Sequence, residues 1–214
     1  MPCSQCRGIE RFFDNKEAAK ELRNYRNKGP SRTTQMLLDA IGEHGVEGKT
    51  LLDIGGGVGA IQHELLQAGA NSVTSVEASS AYLQTSKQEA ERQGHADRVS
   101  YQAGNFVDVA ADVDPADVVT LDRVICCYHD VGALLGQAAE KAGTLLGLVH
   151  PRDSWPIRPA FRSLNLFFRL RKCPFRVYVH PNPLVQEILS RNGFRRISYR
   201  TTFVWQVSLY SRAA

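Results

Sequence analysis

Residues Leu51-Leu52-Asp53-Ile54-Gly55-Gly56-Gly57-Val58-Gly59-Ala60 constrain this chain more than any other stretch. An apolar run carries an acid, glycines follow at the alternate positions 55, 57 and 59, and a helical pattern then begins. Glycine lets the backbone turn sharply there and approach a ligand that a Cβ atom would exclude. Between a strand and a helix, such a loop lies where an open parallel sheet binds nucleosides. An α/β fold follows.

Two nucleoside classes compete for the loop. Gly55-x-Gly57-x-x-Ala60, with Glu77 twenty residues after Gly57, satisfies the dinucleotide pattern. That pattern needs a diphosphate at the helix N-terminus, where positive partial charge gathers. Asp53 argues against it, because a carboxylate beside two phosphates is repelled. S-adenosylmethionine (SAM) has no phosphate and carries an ammonium and a sulfonium, so an acid there is useful. Asp53-x-Gly55-x-Gly57-x-Gly59 with Glu77 resembles the cofactor motifs of class I SAM-dependent methyltransferases. The resemblance implies SAM as cofactor, held by Asp53, Gly55, Gly56, Gly57, Gly59, Glu77 and Ala78. The alternatives are an NAD(P)-dependent oxidoreductase and a SAM-binding protein without catalysis.

At 214 residues the chain reads as one domain with decorations. No apolar run reaches membrane-spanning length, and the N-terminus lacks the hydrophobic block of a secretory signal. Five cysteines, an odd number, suit a reducing compartment, so a cytoplasmic protein is expected. Cys3-x-x-Cys6 has zinc-like spacing but no second pair accompanies it, and no metal is expected. Cys126-Cys127 lie in an apolar run and read as small core hydrophobes. Charge is uneven. Residues 1–150 hold 14 Lys and Arg against 20 acids, whereas residues 151–214 hold 12 against only Asp153 and Glu187. The last third is therefore suited to meet something anionic.

The pattern predicts one amphipathic helix from Ile9 to Lys28, ended by Gly29-Pro30, and a second from Ser31 to Glu43 with Ser31 as N-cap. Strands are expected at Thr50 to Ile54, Ser72 to Glu77, Arg98 to Ala103, Asp117 to Leu121 and Leu145 to His150. Helices between them, at about 60–69, Ser79 to Gln93 and Asp130 to Ala142, imply parallel pairing with right-handed crossovers. After Pro151 come a helix at Ile157 to Lys172, another at Pro181 to Asn192, and strands at Phe194 to Thr201 and Phe203 to Tyr210 joined across Thr201-Thr202. The sum is a Rossmann-like, seven-stranded, mostly parallel sheet with helices on both faces, an antiparallel last strand, and a helical lid after strand five. In domain terms, N-terminal helices (1–48), a SAM-binding core (49–150), a lid insertion (151–180) and a C-terminal helix and hairpin (181–214) make one unit.

Chemistry gathers at the carboxyl ends of the strands. Glu77 can accept from both ribose hydroxyls. By the resemblance, Asn105 would face the adenine amino group and Phe106 would cover the ring, while Asp122 and Arg123 leave strand four where methyltransferases flank the methyl group. Tyr128 and His129 follow, the latter a candidate general base suited to neutral pH. His150 and His180 are placed to reach the same mouth. The segment lacks the Asn/Asp-Pro-Pro-aromatic and proline-cysteine signatures of base-modifying enzymes, so nucleic acid is a disfavoured partner. Residues 157–172 combine Phe161, Leu164 and Phe168 with Arg158, Arg162, Arg169, Arg171 and Lys172. This suits a lid over a greasy, anionic acceptor, or contact with an anionic membrane surface. No feature of the sequence sets an oligomeric state.

The leading helices with Tyr25, the insertion after strand five, Tyr178-x-His180, Gly193-Phe194 and a Thr201-Thr202 hairpin are similar to the magnesium-protoporphyrin O-methyltransferases. That similarity implies Tyr25 and His129 near a reacting carboxylate. It implies as acceptor a porphyrin propionate, with a quinone precursor or polyketide phenol of matching character. A carboxylate acceptor needs no base; a phenol does.

Overall fold

Why the strands stack as they do is visible in their alternation. Leu52, Ile54, Val119, Leu121, Leu146 and Leu148 pack on one face of a central sheet, and Leu51, Val118, Leu145 and Val149 on the other. Both faces are buried, as parallel strands between helical layers require. A computed structural model of the chain describes residues 4–213, with side chains from Gly8 onward. Helices α1 (Ser4–Phe12), α2 (Asn15–Lys28) and α3 (Arg32–Gly42) lead into β1 (Thr50–Ile54), α4 (Ala60–Gln67), β2 (Ser72–Glu77), α5 (Ser80–Gln93) and β3 (Val99–Ala103). Then come α6 (Phe106–Val109), β4 (Ala116–Asp122), α7 (Val131–Lys141) and β5 (Ala142–Pro151). The chain ends with α8 (Ile157–Leu170), α9 (Asn182–Arg191), β6 (Phe194–Thr201) and β7 (Trp205–Arg212).

Among the described residues, seven strands lie in the order β3-β2-β1-β4-β5-β7-β6. Pairings among β1 to β5 are parallel, and β7 runs antiparallel to both β5 and β6. The order reverses direction between β1 and β4, which opens a crevice at their carboxyl ends. The expected α/β architecture is the one observed.

Local departures have local causes. The expected single helix 9–28 is two. Asp14 breaks it, its Oδ1 accepting from the backbone N–H groups of Lys16 (2.9 Å) and Glu17 (3.0 Å). Phe13, just before this cap, packs against the buried cluster that includes Ala18 and Tyr82, in the manner of a hydrophobic staple. A cap of this kind contributes about 1 kcal/mol. β5 starts three residues earlier than expected, at Ala142, because residues before Leu145 pair with β4 alone. β7 starts at Trp205, not Phe203. Thr202 and Trp205 exchange backbone and side-chain hydrogen bonds across the turn, which leaves Phe203 exposed.

Glu89 ties α2 to the body. Its carboxylate is buried and accepts from Arg26 at 2.6 Å and Arg92 at 2.5 Å. Burial alone would raise its pKa, but the hydrogen bonds from Arg92 and Arg26 outweigh it and hold the group at about 2. That clamp sets α2 over the glycine loop.

Candidate active site

β1 ends in the glycine loop, and the loop opens onto a cavity of about 900 Å³. Its walls come from α2, the ends of β1, β2, β3 and β4, and the inner face of α8. A volume of this order suits a nucleoside cofactor with a second molecule beside it.

Asp53 forms the floor rather than the wall. It is only 1% exposed, with Oδ1 accepting from Thr120 Oγ1 at 2.7 Å and Oδ2 from Gln62 Nε2 at 3.4 Å. Gln62 also donates to Ser75 at 2.8 Å and accepts from Ser86 at 3.3 Å, so a buried polar network underlies the loop. Burial pushes Asp53 up to about 6, against the hydrogen bonds from Thr120 and Gln62. Asp53, expected to help hold the cofactor, borders the cavity from beneath. Strand alternation turns its side chain beneath the loop, toward α4. Gly56 lies directly above this network: a Cβ there would sit 2.7 Å from Asp53 Oδ2 and closer still to Gln62 Nε2.

The acid on the open side of the loop is Glu21, which sequence reasoning missed. Gly57 has φ +60°, and the nearest atom to a Cβ built there would be Glu21 Oε1 at 3.6 Å. Tyr82 fixes Glu21 by donating to its Oε2 at 2.9 Å. The available signal was helical spacing, since Glu17, Glu21 and Tyr25 share one face of α2 and all line the cavity.

Glu77 lies at the end of β2 as expected. Its Oε2 accepts from the Gly57 N–H at 3.1 Å and its Oε1 from the Ser79 N–H at 2.8 Å. Burial pushes it up to about 7, opposed by backbone donors from Ser79, Gly57 and Ala78. A carboxylate has about four acceptor positions, so capacity remains for two ribose hydroxyls. Gly55 and Gly59 complete the loop with positive φ, and Ala78 lines the cavity.

At the opposite wall, Asn105 Nδ2 donates to the Tyr128 hydroxyl at 3.1 Å. Phe106 borders the cavity but is 3% exposed and belongs to the core. Asp122 Oδ2 accepts from Thr34 at 2.5 Å, and Arg123 donates to Asp122 Oδ1 at 2.9 Å. Arg123 adopts a left-handed φ of +61°, a conformation costing about 1–3 kcal/mol for a side-chain-bearing residue. Its guanidinium also reaches Ser31 and Thr34, both at 3.3 Å, which holds the strained turn in place.

The remaining catalytic candidates do not converge. Tyr25 lines the cavity but its hydroxyl donates to Glu64 on α4 at 3.2 Å, and burial pushes its pKa up to about 12. His129 is not among the lining residues, although Tyr128 is; the two rings lie side by side, centroids 5.4 Å apart. His150 is buried against Gln206, 3.2 Å from its Nδ1, and burial followed by the neighbouring His180 lowers it to about 4. His180 directs Nε2 at the carbonyls of Ile125 and Tyr128, 2.9 Å each. It positions that turn and does not face the mouth. Among the described residues, no histidine lines the cavity. Cys126 is core-buried as expected, but Cys127 is only half-buried, and both border the cavity.

On α8, Phe161, Leu164 and Phe168 face the cavity, joined by Phe175. Phe12 stacks on Phe175 with centroids 4.4 Å apart and meets Phe168 edge-on at 5.6 Å, closing the lid against α1. Among the described residues no group of three or more His, Cys, Asp or Glu could hold a metal ion. The Cys3-x-x-Cys6 pair lies outside the residues whose side chains are described. Nor is any described helix long and apolar enough to cross a membrane.

Residues 52–141 match the family model described as a methyltransferase domain. No curated protein sequence matches the chain significantly. Among solved structures, magnesium protoporphyrin IX methyltransferase from Synechocystis PCC 6803 with bound S-adenosylhomocysteine (SAH) is 18% identical, with a TM-score of 0.74 over 96% of this chain and 98% of that one. An O-methyltransferase family protein from Burkholderia thailandensis is 19% identical at a TM-score of 0.66, over 90% of this chain and 60% of that one. Geranyl diphosphate methyltransferase, solved with GPP and sinefungin, is 15% identical at 0.68, over 84% and 76%. These likenesses establish a methyltransferase fold, and residues 52–141 within it match the methyltransferase domain.

Proposed function

We propose that this enzyme methylates an oxygen of a hydrophobic, anionic small molecule whose acceptor atom arrives already ionised. The observation that carries this is the lining of the cavity, in which an aromatic lid meets cationic groups such as Arg32 and Arg123 and no histidine is present among the described residues. A carboxylate needs no base, whereas a phenol with a pKa near 10 does. A porphyrin propionate fits best, and it agrees with what the Synechocystis relative is named for. Quinone precursors and polyketide phenols follow.

SAM supplies the electrophilic methyl group when bound. The chain's own residues then align and desolvate. Glu77 would accept the ribose hydroxyls, the Gly55–Gly59 loop would lie against the cofactor, and Glu21 would offer a carboxylate to its cationic tail. Asp53 acts from below by holding Gln62 and the loop in shape. Tyr128, oriented by Asn105 and by His180 through the backbone, borders the acceptor. Since alignment supplies most of the catalysis of an in-line displacement, the lid's packing matters as much as any single group. NAD is disfavoured because Glu21 overhangs the loop where a diphosphate would lie. The test is SAH release from SAM on a panel containing magnesium protoporphyrin, other hydrophobic carboxylates and phenols. Turnover on carboxylates above phenols supports the reading; turnover on phenols alone refutes it, and cofactor binding with no turnover favours a non-catalytic SAM-binding protein.

A second reading concerns the outer side of α8. Leu166 (58% exposed), Phe167 (49%) and Leu170 (74%) point outward beside Arg162 and Arg169. We propose that this face rests on an anionic membrane surface, from which a greasy acceptor would pass beneath the lid. A cytoplasmic location is part of the same proposal.

A further inference from the structure

The cavity wall carries two thiols that the proposed methyl transfer does not use. Cys126 and Cys127 close the 3₁₀ turn Ile125–Cys127 after β4, and neither is in a disulfide. Their Sγ atoms are 3.8 Å apart, and both lean on the Arg123 carbonyl, at 3.1 and 3.6 Å. The sulfurs of a disulfide lie about 2.05 Å apart, so this pair is a dithiol in van der Waals contact. The turn is pinned from outside, with Tyr178 N–H donating to the Cys126 carbonyl at 2.7 Å and His180 bonded to the carbonyls on either side. Closing a disulfide between adjacent residues would twist the intervening peptide and pull it from these partners. One larger atom bonded to both sulfurs would require far less movement.

We propose that Cys126 and Cys127 form a chelating site for a trivalent, thiol-seeking arsenical in the wall of the cavity. The step balances without redox. Arsenic–oxygen bonds are exchanged for two arsenic–sulfur bonds, the two thiol protons leave with oxygen as water, and arsenic stays trivalent throughout. Hydrogen bonding with Cys127, then burial, pushes the Cys126 thiol well above its ordinary value. That slows attack by the Cys126 thiolate on a disulfide and keeps the Cys126 thiol protonated for this condensation. The apolar lining of the cavity would accept an aryl group on the arsenic.

The test treats the full chain with phenylarsine oxide and follows intact mass. One equivalent should add as the reagent less one water, resist excess monothiol and be removed by 2,3-dimercaptopropanol. Because Cys3 and Cys6 are a second spaced pair, the adduct must persist in the C3S/C6S double variant and weaken roughly tenfold or more in C126S or C127S. Should C126S fail to fold, C127S at the half-buried position carries the result. An adduct lost in C3S/C6S, retained in C127S, or reversed by monothiol would overturn the proposal. SAH titration of the unreacted proteins reads the cofactor site independently.

Discussion

The two sides of the cavity are built on opposite physical plans. The side formed by β1, β2, β4 and α4 is a closed polar network, Thr120–Asp53–Gln62–Ser75, with almost no exposed surface under a loop where an added Cβ at Gly56 would displace Gln62 and Asp53. The side formed by α8 is an amphipathic helix with Ile157 and Phe168 buried and Leu166, Phe167 and Leu170 turned outward. A preorganised site specifies one ligand, since its shape and hydrogen bonds are set before binding. A helix held by apolar contacts accepts many, because hydrophobic contact is non-directional. The cofactor is therefore legible here and the acceptor is written in general terms only.

The largest test of this contrast is Glu77→Ala. It removes the acceptor of two backbone N–H groups and the proposed ribose contact, and SAH affinity should fall by about 3 kcal/mol in calorimetry. Loss of no more than a few tenths would show that the polar half does not grip the ribose. Asp53→Ala should divide differently. Unfolding in urea should show a loss of about 1–3 kcal/mol, because Thr120 and Gln62 lose a buried partner. Glu21→Gln should leave stability unchanged and weaken SAM by about 1 kcal/mol. If Asp53→Ala spared the fold and abolished binding instead, the roles given to these two acids would be reversed.

Protonation sharpens the same point. Glu77 is raised to about 7 from an unfolded carboxyl value of about 4.3. In the free protein its contribution to stability is present below about pH 4 and is lost as pH rises through 7. Ligand hydroxyls favour the ionised form, so SAH should bind more tightly as pH rises from about 5 to about 7 and level off above. Glu77→Gln should flatten that profile.

Effects on the lid side should be smaller and should spare the cofactor. Phe161→Ala should raise the acceptor KM several-fold, by about 1 kcal/mol, with SAH affinity unchanged. Leu166→Glu with Leu170→Glu should reduce flotation with vesicles containing phosphatidylserine, leaving turnover on a soluble acceptor intact. Equal flotation of wild type and variant would remove the membrane role.

Much of the fold was legible because its signals are local. Alternating apolar strands, the glycine loop and the Ser31 cap each depend on a few neighbouring residues. The break at Asp14 was also written, as Phe13-Asp14-x-x-Glu17, but helical periodicity on both sides masked it. The site was harder because it is assembled from distant segments. That Asp53 faces inward depends on Thr120, 67 residues away, and that Glu21 overhangs the loop depends on the Arg26–Glu89 clamp. His150 at the end of β5 and His180 just before α9 were candidates by position. Packing settled them otherwise, with His150 under Gln206 and His180 on the backbone of the 125–128 turn.

The proposed cofactor preference rests on the charge above the glycine loop, where a carboxylate of α2 overhangs Gly57 while the acid of β1 lies buried below. Parallel calorimetric titrations with SAH and NAD test it most directly. Saturable SAH binding with no detectable NAD binding is the predicted result; NAD binding in the absence of SAH binding would contradict it.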